Sequence, residues 1–579
     1  MHTRFLRAWW PPLIGSILFV TGALLLISYP GLQEDELIFS PSIFNPGIND
    51  HMTLGRHIVP RMLLSYMGAT KTWLYYVIFK LWRPSLYSVR IPVILIYALT
   101  IWVFYDVLRM AYNGRAVGKR AGAVGVLLLA TDPTYVLSGS FGWCNLQNVF
   151  MLASVGAFLR FYRNASRLWL AAAAFFAGLW LWDKAVGMWM LSGLVLAVVI
   201  VYPRAAWSRV NKTNLAVGMV AFCAGALPLI VFNVENNYPT LRSNAHFSTV
   251  GFRQKLEILK NTAQGSAWLG SVVSEPTPYP RIPRTAAGRF AVAIHDRIGD
   301  QRSAYLPYAL GTSLVLIPLL LMWRRYQALR LVLLSLIAMC MAWLQMALTE
   351  GAGTGAHHPA LMWPFPELFI AVAFAEASLV WKNAGRWLLA AAVVCLMVTN
   401  LLTLNQYLYQ FVRFGGGKGW SDAIFALSDR IPGFQAREIF IADWGIINPL
   451  VTLSRGKLPL RWDADAFSSD RPSAIAVHDA MAAFAAKNSI WVEHTHGNEM
   501  FAGVNERLEK MASAAGYRKI ELCQVRDGNQ APVFEVFRIE PSLGPTGSPN
   551  DALSAVQPAS PPPSSKHQRP DLPARHSII

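Results

Sequence analysis

Long, unbroken apolar stretches dominate the chain, and they come as blocks rather than at amphipathic spacing. Runs of near-spanning length lie at about 8–29, 87–107, 121–139, 145–161, 168–183, 186–202, 214–233, 306–323, 328–348, 360–380 and 386–408. A hydrocarbon core about 30 Å thick takes about 20 apolar residues in a helix, so the pattern predicts about eleven transmembrane helices. The first run is too long for a signal peptide and no small-residue cleavage site follows it, which reads as a retained anchor. After 408 the pattern changes. Strand-like stretches at 438–443, 490–494, 518–524 and 533–539 alternate with helical patterns at 421–431, 474–487 and 501–515, predicting a small α/β unit. The tail at 546–579 is rich in Pro and Ser and is expected to be disordered. The predicted fold is an α-helical polytopic membrane protein. Residues 1–408 form its transmembrane domain, with outer loops 30–86 and 234–305, and residues 409–545 form an outward-facing soluble α/β domain.

Charge assigns the sides. The connections at 108–120 (Arg109, Arg115, Lys119, Arg120), 160–167 (Arg160, Arg163, Arg167), 203–213, 324–330 and 381–386 are short and basic, whereas those at 131–144 and 349–359 hold no Lys or Arg. By the positive-inside rule the N-terminus is cytoplasmic and the C-terminal domain lies outside. Composition agrees: 54% of residues are apolar and only 15% are charged, against about 25% charged in a soluble domain. These loops account for part of the net charge of +18, so it does not argue for a nucleic-acid partner. Of the five cysteines, Cys144 and Cys523 are predicted to face outward, which implies no disulfide framework. Sequons at Asn164 and Asn211 fall on the predicted cytoplasmic side, as a bacterial inner-membrane protein would tolerate.

Chemistry concentrates just after the first run. Pro30 and Gly31 end the helix, and Glu34, Asp35 and Glu36 follow within about two turns of the membrane surface. Carboxylates this close repel one another, which raises a pKa and leaves a group poised for proton transfer. They are equally suited to a divalent cation through oxygen, or to nothing beyond a solvated acidic loop. The rest of loop one carries Asp50, His51, Arg56, His57, Arg61 and Lys71 among apolar residues at helical spacing, which suits interfacial helices. Asp183 and Lys184 sit between two apolar runs, either as a turn in the headgroups or as a cation for an anionic ligand. His357 and His358 close a Gly-rich turn, Gly351 to Pro359, that is expected to open the tenth helix. Asp132, Pro133, Trp143, Cys144 and Asn145 are placed along the second outer turn.

An acidic first outer loop after helix one, a long later outer loop and a soluble outer C-terminal domain resemble the GT-C superfamily of membrane glycosyltransferases. The likeness is greatest to the branch of protein O-mannosyltransferases and lipid A aminoarabinose transferases. It covers the arrangement of about the first 410 residues. The resemblance implies a hexosyl- or pentosyltransferase that uses a polyprenyl-phosphate sugar as donor and an envelope lipid, glycan or protein as acceptor. It implies an acidic residue of the first loop as base, with Asp35 the first candidate, Glu36 the second and Glu34 the third. Lys184, His357, His358, Arg56 and Lys71 become candidates for holding the donor phosphate. A divalent cation is the cofactor such acids suggest. The competing classes are a transporter or flippase, against which the nearly charge-free helix centres count, and a non-catalytic envelope scaffold.

Overall fold

The computed structural model describes residues 2–143, 146–277 and 280–542; Cys144, Asn145 and the tail expected to be disordered lie outside them. The chain divides into two compact units, Met1–Asp422 and Ala423–Ile579.

Each of the eleven apolar runs falls on helix in the first unit. By length and composition five helices reach across a membrane: Trp9–Leu26, Leu86–Ala111, Lys212–Glu235, Tyr326–Ala347 and Lys382–Phe414. A sixth span arises if the pair Ala116–Thr131 and Pro133–Phe141, bent by 61°, is one pass. Pro133 causes the break, because it has no N–H to continue the first helix. The Asp132 carboxylate restarts the second by accepting from Tyr135 N at 2.8 Å. The other five runs form helices of 14 to 18 residues, Gln147–Asn164, Arg167–Asp183, Met188–Val201, Leu306–Met322 and Phe365–Val380. The chain is a multi-pass membrane protein.

Without a hydrophobic force between helices in lipid, small residues set how closely they pack. The helices Arg167–Asp183 and Lys212–Glu235 meet through Gly178 and Gly225. A Cβ at Gly178 would lie 2.3 Å from Phe222 O, and one at Gly225 would lie 2.2 Å from Phe175 O.

Loop one differs from expectation. Residues 50–68 form a three-stranded antiparallel sheet, β1 (Asp50–Leu54), β2 (His57–Leu64) and β3 (Met67–Gly68), rather than interfacial helix. Gly55 and Arg56 make a two-residue turn between β1 and β2, and Gly55 takes the positive φ that such a turn requires. Buried Arg61 fixes the hairpin, donating to both Asp50 oxygens at 2.7 and 2.8 Å and to Glu235 Oε2 at 2.6 Å. A tertiary ion pair thus overrides an ambiguous apolar spacing. The helix Thr70–Leu81 follows.

The second unit is an α/β domain built on a five-stranded sheet of order β5-β4-β6-β8-β7. Strands β4 (Glu438–Ile441), β5 (Leu460–Trp462) and β6 (Ser489–His494) are parallel, while β7 (Tyr517–Arg526) and β8 (Pro532–Pro541) close it antiparallel. Alternate residues feed two cores, one around Ile441, Leu450, Ile490 and Val536 and the other around Phe440, Phe484, Trp491 and Phe537.

Substituting Gly225 by Leu will force the helix pair apart and lower stability by about 1–3 kcal/mol or more. Gly218→Leu, on the same helix but facing open space, will leave thermal unfolding in detergent nearly unchanged. Equal unfolding temperatures for the two variants would remove the glycine contact as a determinant of packing.

Candidate active site

The acidic triplet is a single helical turn, Glu34–Leu37, started by the Gln33 side chain. Its Oε1 accepts from Asp35 N at 2.7 Å and Glu36 N at 3.3 Å. Consecutive residues on a helix point in different directions, so the three acids enter three environments. Glu34 and Glu36 are buried and Asp35 is exposed.

Glu36 belongs to Arg90. The guanidinium, in the first turn of Leu86–Ala111, donates to Glu36 Oε1 at 2.7 Å and Oε2 at 2.8 Å. Its remaining N–H groups reach Ile27 O at 2.6 Å, Pro30 O at 3.0 Å and Gly31 O at 2.7 Å. The Phe141 ring covers it at 4.9 Å. Arg90 therefore ties the end of the first helix, the Pro-Gly break and the acidic turn to one point. Both Glu36 oxygens are engaged in this way.

Lys71 backs the same turn. Its Nζ donates to Glu36 O at 3.0 Å and Gly142 O at 3.4 Å, and it lies 4.6 Å from the Phe39 ring. Burial pulls its pKa down to about 8, although Glu36 and Asp183 favour the charged form.

Asp35 is the exposed member of the triplet. Protein surrounds it closely enough to push its pKa above the ordinary carboxylate value, while the Lys184 charge and the Gln33 side chain pull it back. Water still reaches the side chain, so Asp35 is not sealed in a core. Tyr66 adjoins it, its pKa held up by burial and by the Asp35 charge.

Asp183 and Lys184 are not a turn among headgroups. Both are buried, and Lys184 is extended, bridged to Met67 in antiparallel fashion. Ala185 N donates to Tyr66 O at 2.8 Å, and Gln147 Nε2 to Lys184 O at 2.7 Å. Asp183 accepts from Thr70 Oγ1 and, at 3.1 Å, from Leu146 N. Its carboxylate joins segments and also feels the Lys184 charge, which acts on Asp35, His357 and His358 as well.

The two histidine rings lie 4.3 Å apart, centre to centre. His358 Nδ1 accepts from Gly353 N at 3.0 Å, so the neutral ring carries its proton on Nε2. Burial, His358 and Lys184 lower the pKa of His357 strongly, burial with Lys184 and Lys255 lowers that of His358 to about 3, and both rings stay neutral. Pro359 opens a 3-10 turn, Pro359–Met362, and the helix begins only at Phe365. A helix N-terminus therefore does not stand at the histidines, contrary to expectation.

The structure brings Asp35, Lys184, His357 and His358 into one electrostatic group, with Lys71 and Glu36 supporting it from behind. Arg56 stands apart, exposed at the hairpin turn. Two residues the sequence reading did not single out matter here. Arg90, a lone cation opening an apolar helix, carried a visible signal. Lys255 did not: its Nζ caps the helix Tyr326–Ala347 by donating to Ala347 O at 3.0 Å and to Thr349 O at 2.7 Å, which secures the Gly-rich turn. Among the described residues no three His, Cys, Asp or Glu are placed to hold a metal ion.

No family model and no curated protein sequence matches the chain. Solved structures do. ArnT from Cupriavidus metallidurans, bound to undecaprenyl phosphate, is 14% identical, with 90% of this chain and 97% of that chain covered and a TM-score of 0.50. The oligosaccharyltransferase of Archaeoglobus fulgidus in its apo form is 13% identical over 93% of this chain and 75% of that one, also with a TM-score of 0.50. The same enzyme tethered to an acceptor peptide matches at 12% identity, over 93% and 74%, with the same TM-score. These are GT-C glycosyltransferases, and this chain has their fold.

Because Glu36 and Arg90 form a buried pair, removing either partner leaves an uncompensated group and will cost about 3–5 kcal/mol. Arg90→Ala and Glu36→Gln will unfold at clearly lower temperature in detergent. Arg90→Lys will not restore stability, because an ammonium cannot span both oxygens and three carbonyls. A wild-type melting curve for Arg90→Ala would refute the anchoring role.

Proposed function

We propose that the chain is a membrane glycosyltransferase moving a hexosyl or pentosyl unit from a polyprenyl-phosphate donor to an acceptor on the outer face. In this reading about eleven passes hold it in a bacterial inner membrane, with the N-terminus inside and the C-terminal domain in the periplasm. The observation that carries the proposal is the open Asp35 carboxylate set against the Lys184 cation and two neutral histidines.

Each group then has a task. Asp35 takes the proton of the acceptor hydroxyl as its oxygen attacks the anomeric carbon of the donor sugar. The bond from that carbon to the phosphate oxygen breaks, and the configuration inverts. Negative charge grows on the departing polyprenyl phosphate, where Lys184 meets it with a point charge and His358 with its Nε2–H. Glu36, Arg90 and Lys71 hold the turn that aims Asp35, and Glu34 is buried in the same turn. Arg56, at the exposed hairpin turn, has no part in this reading. The GT-C fold supports the donor class. Undecaprenyl phosphate, which the Cupriavidus ArnT binds, has the chemistry of the product lipid.

Buried Asp132 and Glu367, which stand close enough to influence each other, favour one second reading, an ion-coupled transporter. Sugar transfer separates the two. Asp35→Asn will lower transfer by about 10²–10⁴-fold in an assay with short-chain polyprenyl-phosphate sugars. It will keep the thermal stabilisation those lipids give, whereas Lys184→Ala will lose it. Wild-type transfer by Asp35→Asn would sink the reading, and a failure of every polyprenyl-phosphate sugar to stabilise the wild type would favour transport.

The pH profile gives an independent check. A base works only when ionised, and the protein around Asp35 raises its pKa. The acid limb of kcat/KM will therefore fall at higher pH than the about 3.9 of a free aspartate. Lys184 stabilises the ionised form, so Lys184→Gln will move that limb to still higher pH. A shift in the opposite direction would show that Asp35 is not the titrating base.

A further inference from the structure

The far ends of the same helices enclose a second charged cluster, remote from Asp35. Trp9, Trp102, Asp106, Ala153, Arg160 and Trp169 are among the residues lining a cavity of about 380 Å³, within the range of about 300–1,000 Å³ usual for small-molecule sites. Its walls are mainly apolar, and one charged cluster stands at its edge. Asp106 receives Arg109 on Oδ1 at 2.8 Å and Arg160 on Oδ2. Arg109 also lies 4.7 Å from the Trp9 ring and Arg160 5.0 Å from the Trp169 ring, while Trp9 and Trp102 stack at 5.9 Å.

Two features make this a binding site rather than a packing defect. Two guanidinium groups share one carboxylate, which leaves one positive charge uncompensated, and Arg163 and Arg167 add more on the adjoining connection. The arginine side chains are 31% and 33% exposed, so a ligand can reach them. Tryptophans at this level mark a membrane interface, where one end of a guest is apolar and the other is wet. An anion with an apolar tail satisfies both halves of the site. A zwitterionic headgroup would bring a second cation toward the arginines.

We infer that this cavity binds one anionic phospholipid of the leaflet opposite the candidate active site, its acyl chain between the tryptophans and its phosphate on Arg160 and Arg109. The inference rests only on the chain being a membrane protein and stands whether or not the transferase reading holds.

The test uses the full chain, purified in detergent, with thermal unfolding as readout. Dioleoyl phosphatidylglycerol will raise the unfolding temperature by several degrees and half-saturate at a concentration about tenfold lower than dioleoyl phosphatidylcholine, while inorganic phosphate will have no effect. Ala153→Phe fills the cavity without touching the ion pairs, and Arg109→Gln with Arg160→Gln removes the cations. Both variants will lose the phosphatidylglycerol shift. Native mass spectrometry supplies a second measure that does not depend on melting, with one phosphatidylglycerol retained by the wild type and none by Ala153→Phe. Equal response to the two lipids, or a shift retained in both variants, overturns the site. A response to inorganic phosphate equal to that of phosphatidylglycerol would make it an anion site and overturn the lipid.

Discussion

A guanidinium that is 1% exposed cannot be left without partners, because the cost of stripping water from it is several kcal/mol unless every donor is met. Arg90 meets that condition by collecting three backbone carbonyls and a carboxylate from a stretch where the chain has left its first helix and has no ladder of its own. Residues 27 to 36 include Pro30 and Gly31, which contribute little to regular structure. Without the arginine they would leave carbonyls unsatisfied inside the protein. The ion pair is thus the device that gives an irregular segment one conformation, and the acidic turn inherits its orientation from it.

That orientation decides the chemistry. Once Glu36 points to Arg90, the roughly 100° rotation between neighbouring helical residues turns Asp35 away from the guanidinium. The strongest base-quenching partner in the neighbourhood is spent on Glu36, so Asp35 keeps a weaker, electrostatic relation to Lys184. A carboxylate clasped by Arg90 would be held ionised and poorly basic. One that is exposed and only feels a lysine charge is more basic and can still exchange protons. The buried histidines add polarity without net charge, since burial and the lysines keep them neutral. Asp35 and Lys184 thus stand in an electrostatic balance to which Asp183 and Lys71 also contribute.

The sequence made some of this legible and hid the rest for physical reasons. The apolar runs announce their helices because a helix in lipid must be apolar over its whole length, a signal that needs no knowledge of neighbours. Asp35 and Lys184 were visible as charges beside apolar blocks. Which acid of the triplet is open was not visible, because the answer depends on an arginine 54 residues further on. The hairpin of loop one stayed hidden behind an apolar spacing that Arg61 and its distant partner Glu235 resolve only in three dimensions. In the C-terminal domain, β5 has three residues and pairs with β4 alone, too short for alternation to register. Lys255 acts on carbonyls more than 90 residues away, and backbone acceptors leave no trace in side-chain patterns.

The helix Leu86–Ala111 links the two ends of the molecule. Arg90 lies in its first turn and Asp106 near its last, 16 residues apart and so separated by about 24 Å at 1.5 Å per residue. A hydrocarbon core is about 30 Å thick. The helix therefore carries a buried ion pair near one end and a partly exposed one near the other, a separation close to the thickness of that core, with an apolar stretch between them. Charged groups are least costly at these two depths, because water and headgroups are at hand to complete their solvation. One such level carries the exposed Asp35 carboxylate and the other the partly exposed Arg109 and Arg160. A helix that displaced either end along the membrane normal would draw an ion pair into hydrocarbon. The two clusters thus fix the depth of the helix from opposite sides, and with it the height at which Asp35 stands above the lipid.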